Sequence, residues 1–219
     1  MTILKSILLT LLFVISLELA ASWILLFDIE KENIFTTKLY NLINGIIELA
    51  FVLLLLKIVL RNQNVVPLKT NIRYYLASII AGVSYPYVQT PLNELYNLIF
   101  ETSYRITYDY GMEGLLTWNS IAVILLIPMA EELFFRGYIL KQLLTKHKPI
   151  IAIGISTLLF ALIHLPYQAI FLNSMEFNGH LAYIAFFGGL ISGIIYYKSK
   201  SIGPSLIFHI TWNLMVVLI

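Results

Sequence analysis

The chain has no cysteine, so disulfides, thiolate zinc sites, iron–sulfur clusters and cysteine nucleophiles are excluded at once. Charge is scarce as well. Charged side chains make up 12% of the 219 residues and apolar ones 59%, against roughly a quarter charged and about half apolar in an ordinary soluble domain. What is missing is the surface that would face water. With a mean hydropathy of +0.85, the composition excludes a disordered chain, a coiled coil and a secreted disulfide scaffold, and it points to an integral membrane protein. The formal net charge of +2 is small and no basic stripe is present, so no nucleic-acid partner is expected. Internal repeats, low-complexity tracts and soluble linkers are absent too.

A bilayer-crossing helix needs roughly 20 mostly apolar residues. Stretches approaching that length are 6–27, 39–60, 74–91, 115–140, 150–166, 180–197 and 202–219. The expected fold is an all-α polytopic transmembrane bundle of seven helices around an internal polar cavity. A re-entrant piece within 167–179 would raise the number to eight. Residues 1–114 would supply the N-terminal membrane helices and an interfacial segment or lid at 92–114; residues 115–219 would form the chemistry-bearing core. A cleaved signal peptide over 1–22 is disfavoured, because Glu18 interrupts it and the apolar run resumes at Trp23.

The few cations reveal sidedness. Lys5, Lys57, Arg61, Lys69, Arg73, Lys141, Lys146, Lys148, Lys198 and Lys200 fall at one set of alternating helix ends, and only Lys31, Lys38 and Arg105 at the other. Asp28, Glu30, Glu32, Glu94, Glu101, Asp109, Glu113 and Glu176 all lie on the Lys/Arg-poor side. Positive charge collects on the cytoplasmic side, which predicts a cytoplasmic N-terminus. The Lys- and Ile-rich composition suggests a bacterial plasma membrane.

Charges inside a bilayer are functional suspects by default, since each costs roughly 3 kcal/mol to insert at the centre. Glu18 and Glu48 each stand alone in an apolar helix and read as protonated acids bonded to a neighbouring helix. His147 and His180 read as interfacial residues at helix ends. The segment Pro128–Gly137 is different. On a helix Glu132 and Arg136 are i and i+4 and form an ion pair, while Glu131 is rotated by about 100° onto a neighbouring face. Glu131 is thereby left beside a like charge in low-dielectric surroundings, an environment suited to a general base. Phe160-x-x-x-His164 follows in the next helix and His209-x-x-x-Asn213 in the last. Lipid cannot solvate these groups, so the three helices are expected to bring them to one interior site. Depth arithmetic is less tidy: Glu131 lies about 15 Å from Lys141 and His164 about 22 Å from Pro149 at 1.5 Å per residue, so convergence requires tilt or a fifth helix that begins in the cytosol.

This inventory fits hydrolysis of an acyl bond. Glu131, with His164, would deprotonate a water, and His209 and Asn213 would donate to the developing oxyanion. Glu131, His164 and His209 are also a donor set able to hold a divalent metal such as Zn²⁺ with an open position. No serine has a base-and-orienter partnership, and the zincin His-Glu-x-x-His pattern is absent. A proton-coupled transporter is a second reading, weakened by the lack of an inverted repeat. A non-catalytic immunity or binding protein on the same scaffold is a third.

Glu131-Glu132-x-x-x-Arg136, Phe160-x-x-x-His164 and His209-x-x-x-Asn213, in that order, resemble the three motifs of the CPBP family, the CAAX proteases and bacteriocin-processing enzymes also called Abi. The resemblance covers about 120–217. It implies an eight-helix-like intramembrane endopeptidase whose cavity opens to the cytosol. In eukaryotic members the substrate is a prenylated protein that loses its last three residues. By that likeness Glu131 and His164 activate water, His209 and Asn213 form the oxyanion hole, and Arg136 orients the glutamate pair through Glu132. The family has been described as both metalloproteases and glutamate proteases; the residues favour glutamate chemistry and leave the metal open. In a bacterium the substrate would be a membrane-associated protein, peptide precursor or bacteriocin leader.

Overall fold

The computed structural model describes residues 1–21, 39–60, 68–105, 115, 117–167 and 178–219. Every regular element among them is a helix. In chain order they are α1 (Ile3–Ala21), α2 (Tyr40–Leu60), α3 (Ile72–Phe100), α4 (118–143), α5 (Pro149–Leu162), α6 (His180–Ser199) and α7 (Ile202–Leu218). These seven fall on the seven apolar stretches. Two segments, Tyr40–Ile58 and His180–Ser199, are long and apolar enough to cross a bilayer. The expected re-entrant piece lies mostly at 168–177, outside the described residues.

α1 shows which side of the helices lipid would cover. Leu4, Leu8, Leu11 and Ile15 recur at helical spacing and are exposed, while Ser6, Thr10 and Phe13 on the opposite face are buried. A water-soluble helix is arranged the other way round. The inward hydroxyls are satisfied within the helix: Ser6 Oγ donates to Ile3 O at 2.6 Å and Thr10 Oγ1 to Ser6 O at 3.0 Å. Behind them an aromatic core joins the two halves of the chain. Phe13 stacks on Phe134 with ring centroids 4.6 Å apart, and Phe135 meets Phe160 edge-on at 5.3 Å.

α3 corrects the expected segment at 92–114. Residues 92–100 are not interfacial but continue the helix, which runs for 29 residues through Pro86 and Pro91. Each proline removes one backbone hydrogen bond, and tertiary contacts hold the helix together across them. Tyr85 OH donates to Ile184 O at 2.7 Å, and its ring meets Trp212 at 4.7 Å. Asn71 caps the start by accepting from Arg73 N at 3.0 Å, and Glu101 ends it in a left-handed conformation. Residues 106–114 lie outside the described part.

α4 is not a uniform α-helix. Wide π turns span Ala122–Leu126 and Phe135–Leu140, one on each side of the Glu131–Glu132 pair. Such turns recur at functional sites because they free a carbonyl and re-aim the face.

Hydrogen bonds fix which helix ends share a face of the bundle. Met1 N donates to Gln142 O at 3.1 Å, Thr70 Oγ1 to Ser199 O at 2.9 Å, and Ser201 Oγ to Leu68 O at 2.9 Å. These ends carry the cationic segments, and together they form the basic end. At the opposite end Asn41 N donates to Asn119 Oδ1 at 3.1 Å, and His180 Nε2 lies 2.8 Å from Asn93 Oδ1.

Candidate active site

Pro128 occupies the first turn of the α-helical stretch Ile127–Phe134 and starts it cleanly, because the missing N–H is not needed there. One turn later come Glu131 and Glu132, both buried. Glu132 is fully enclosed and saturated. Its Oε1 is 3.0 Å from Arg136 Nη1 and 3.2 Å from His209 Nδ1, and its Oε2 accepts from Ser192 Oγ at 2.9 Å. A buried carboxylate is tolerable only when paired and hydrogen-bonded in this way.

Arg136 is held as tightly. Besides Glu132, its Nη2 donates to Gly189 O at 3.0 Å, and its guanidinium lies 4.3 Å from the centre of the Phe160 ring. The ring face stabilises a desolvated cation by a kcal/mol or two, about. Gly189 makes this approach feasible: a Cβ there would sit 2.8 Å from Phe160 Cδ1 and 3.4 Å from Arg136 Nη2. At neighbouring Gly188 a Cβ would drive into the Trp212 ring at 2.4 Å. The seam of small residues on α6 therefore sets how closely α4, α5 and α7 converge.

Glu131 faces the other way and is loosely held. His164 Nε2 lies 3.8 Å from its Oε1 and His209 Nε2 3.7 Å from its Oε2. Both separations exceed a direct hydrogen bond, and Oε2 has no hydrogen-bond partner among the described residues. The two imidazoles are nevertheless fixed in orientation. His164 Nδ1 sits 2.9 Å from Phe160 O, and since a carbonyl only accepts, Nδ1 carries the hydrogen. Its Nε2 then presents a lone pair toward Glu131 when the ring is neutral. His209 Nδ1 is directed at the Glu132 carboxylate by the same logic.

Glu131, Glu132, Arg136, His164 and His209 thus converge, as expected from lipid's inability to solvate them. One local detail differs. α5 ends at Leu162, and His164 occupies the turn beyond it, its N–H bonded to Ala161 O at 3.0 Å; Pro166 disfavours helix at the residue before it. This turn carries the ring over to Glu131, resolving the depth mismatch. Asn213 also lines the cavity, and its Nδ2 donates to Val123 O at 2.8 Å, a carbonyl in the first π turn. One amide hydrogen is thereby used and a second remains.

Two residues set aside from sequence belong to the site's surroundings. Glu48 is buried in α2, interacts electrostatically with Glu131, and has an Oε1 without a hydrogen-bond partner among the described residues. His180 lines the same cavity. An isolated carboxylate in an apolar helix was the available signal for Glu48. Ser192 carried none, being an ordinary serine in a small-residue helix.

The cavity has a volume of about 320 Å³ and combines Glu131, His164, His209 and Asn213 with apolar walls from Val123, Ile184 and Trp212. Glu131, His164 and His209 are the donors a divalent ion would use, yet among the described residues no group of three such side chains is arranged to hold one. No step is therefore derived through a metal. What the arrangement offers is a carboxylate with a free acceptor, a neutral imidazole lone pair beside it, and hydrogen-bond donors across the cavity.

Residues 113–215 match the family model described as Rce1-like, type II CAAX prenyl endopeptidase. No curated protein and no solved structure matches the chain.

Proposed function

Because residues 113–215 belong to the CPBP family of CAAX-type endopeptidases, we propose that this membrane protein hydrolyses a peptide bond of a membrane-associated protein or peptide. The observation that carries the reading is the unequal treatment of adjacent glutamates: Glu132 saturated, Glu131 buried with an unengaged oxygen between two imidazoles.

A water approaching Glu131 donates one hydrogen to the carboxylate, with the His164 Nε2 lone pair alongside to take it. The water oxygen attacks the scissile carbonyl carbon, and the carbonyl π electrons move onto oxygen. His209 and Asn213 stabilise that oxyanion. His209 uses Nδ1–H on Glu132, so donation from Nε2 requires the imidazolium, whose charge Glu132 balances. With His209 protonated, Glu131, Glu132, Arg136 and His209 sum to zero charge, which suits a low-dielectric site. Collapse of the tetrahedral centre breaks the C–N bond. The proton held at Glu131 or His164 passes to the leaving nitrogen, giving an acid and an amine. General acid–base help of this kind contributes typically 10²–10⁴-fold, and each oxyanion donor about 10²–10³-fold.

The test is cleavage by purified, reconstituted protein of a pooled library of membrane-tethered peptides. Wild type is compared with Glu131→Gln, each with and without a strong chelator. Cleavage lost in Glu131→Gln and kept with chelator is the expected pattern. Retained cleavage in the variant would sink the assignment, and loss on chelation would replace the glutamate-activated water by a metal-bound one.

A further inference from the structure

The catalytic cavity lies in one half of the bundle. Its walls include Gln89 and Asn93 late in α3, Ile127 early in α4, His180 at the start of α6 and Val216 late in α7. All belong to the helix halves away from the basic end. Toward the basic end the bundle is closed: Leu140, Leu143, Ile202 and Ser205 are buried, and Ser205 Oγ donates to Ser192 O at 3.2 Å.

A second cavity, of about 610 Å³, adjoins the first, and Asn93 lines both. Its walls are polar where the catalytic cavity is mostly apolar, with Glu94, Asn97, Thr102, Ser103 and Arg105 among them. Asn97 builds its rim. Asn97 Oδ1 accepts from Thr102 Oγ1 and Tyr104 N, both at 2.8 Å, and Asn97 Nδ2 donates to Tyr104 O at 2.9 Å. Between the cavities stands a partition. Tyr104 stacks on His180 at 4.0 Å, and the His180 Nε2 edge meets Asn93 Oδ1 at 2.8 Å.

The charges orient this arrangement in a membrane. Lys5, Lys57, Lys69, Arg73, the turn Lys141 to Lys148, Lys198 and Lys200 sit at the closed end, and no Asp or Glu accompanies them in those segments. The cavity end carries Arg105 with Glu94 and Glu101. Short cytoplasmic loops hold the Lys and Arg excess, so the closed basic end is cytoplasmic and the polar cavity faces the other compartment. That reverses the cytosolic access implied by the family likeness.

We propose that the polar cavity is the substrate portal of the catalytic one, and that it opens on the extracytoplasmic face. The substrate is then an extended, polar stretch of polypeptide presented after translocation, not a cytosolic C-terminus. This rests on the peptidase reading for the reaction, and on geometry and charge for the side. Uncharged amide and hydroxyl walls suit such a segment, whose backbone groups need hydrogen-bond partners as they leave water.

The natural absence of cysteine makes the test direct. Thr102→Cys, at the portal, and Lys146→Cys, at the basic end, are exposed to a membrane-impermeant maleimide in intact cells and again after lysis. Expected is labelling of Thr102→Cys in intact cells and of Lys146→Cys only after lysis. The reverse pattern, or equal labelling of both in intact cells, overturns the sidedness. Labelling needs no catalysis, so the same pattern in a Glu131→Gln background separates this inference from the peptidase reading. For the portal, a membrane-tethered peptide displayed outside is the probe. Bulky modification of Thr102→Cys is expected to raise KM at least tenfold with kcat little changed, and modification of Lys146→Cys to do neither. Unchanged cleavage after complete Thr102→Cys modification overturns the portal.

Discussion

Glu131 and Glu132 are neighbours in sequence and opposites in surroundings. Around Glu132 every acceptor is used, by Arg136, His209 and Ser192, and the side chain is wholly enclosed. Around Glu131 the nearest nitrogens stop at 3.7 and 3.8 Å. The difference teaches how two carboxylates at one depth can divide labour: one is fixed in place by partners, and the other is oriented by what its neighbour fixes. His209 links the two regions, with Nδ1 toward Glu132 and Nε2 toward Glu131.

The contrast predicts that substitutions on the two sides fail differently. The largest effect is expected at Glu131→Gln, which should lower kcat by 10³-fold or more, about 4 kcal/mol of transition-state stabilisation, with thermal unfolding in detergent near that of wild type. A fall in unfolding temperature matching that of Arg136 variants would erase the distinction. Next is Arg136→Met, which leaves Glu132 buried without its cation. Removing one partner of a buried pair costs roughly 3–5 kcal/mol, so denaturation in mild detergent should show a large loss of stability. A stable Arg136→Met protein would mean that Glu132 is not held ionised. Asn213→Ala should lower kcat by about 10²-fold while leaving KM close to unchanged; a pure KM effect would move Asn213 from the oxyanion to substrate binding. The smallest is Ser192→Ala. Loss of one hydrogen bond to a charged acceptor corresponds to about 1.5–3 kcal/mol, read as a modest shift in unfolding and a partial loss of kcat through the tilt of Glu132 and His209. Ser192→Thr, which keeps the hydroxyl, should restore more activity than Ser192→Val of similar size.

Much of the site could be read from the chain because a hydrophobic bundle makes its charges conspicuous. Glu131, Glu132, Arg136, His164, His209 and Asn213 stood out for that reason, and the structure brings them together. Other features left no mark in the sequence. The Gly189 carbonyl and the Val123 carbonyl are backbone acceptors, available from any residue type at those positions. Ser192 differs from other buried serines only by what lies opposite. The continuation of α3 through Pro91 to Phe100 went unseen because proline and polar residues locally argue for a break, and tertiary contacts from Ile184, Thr211 and Trp212 outweigh that preference. Glu48 was visible, but its nearness to Glu131 depends on how α2 lies against α4.

The two wide turns in α4 have a consequence for how such chains change length. A π turn is, in effect, an α-helix with one residue inserted, and each inserted residue rotates all that follows by about 100°. Ala122–Leu126 therefore sets the azimuth at which the glutamate pair meets α7, and Phe135–Leu140 resets the helix before the basic end. A single deletion in the first turn swings Glu131 away from His164 and His209. The same deletion paired with a one-residue insertion before Glu131 restores it, so this segment tolerates indels as compensated pairs and not singly.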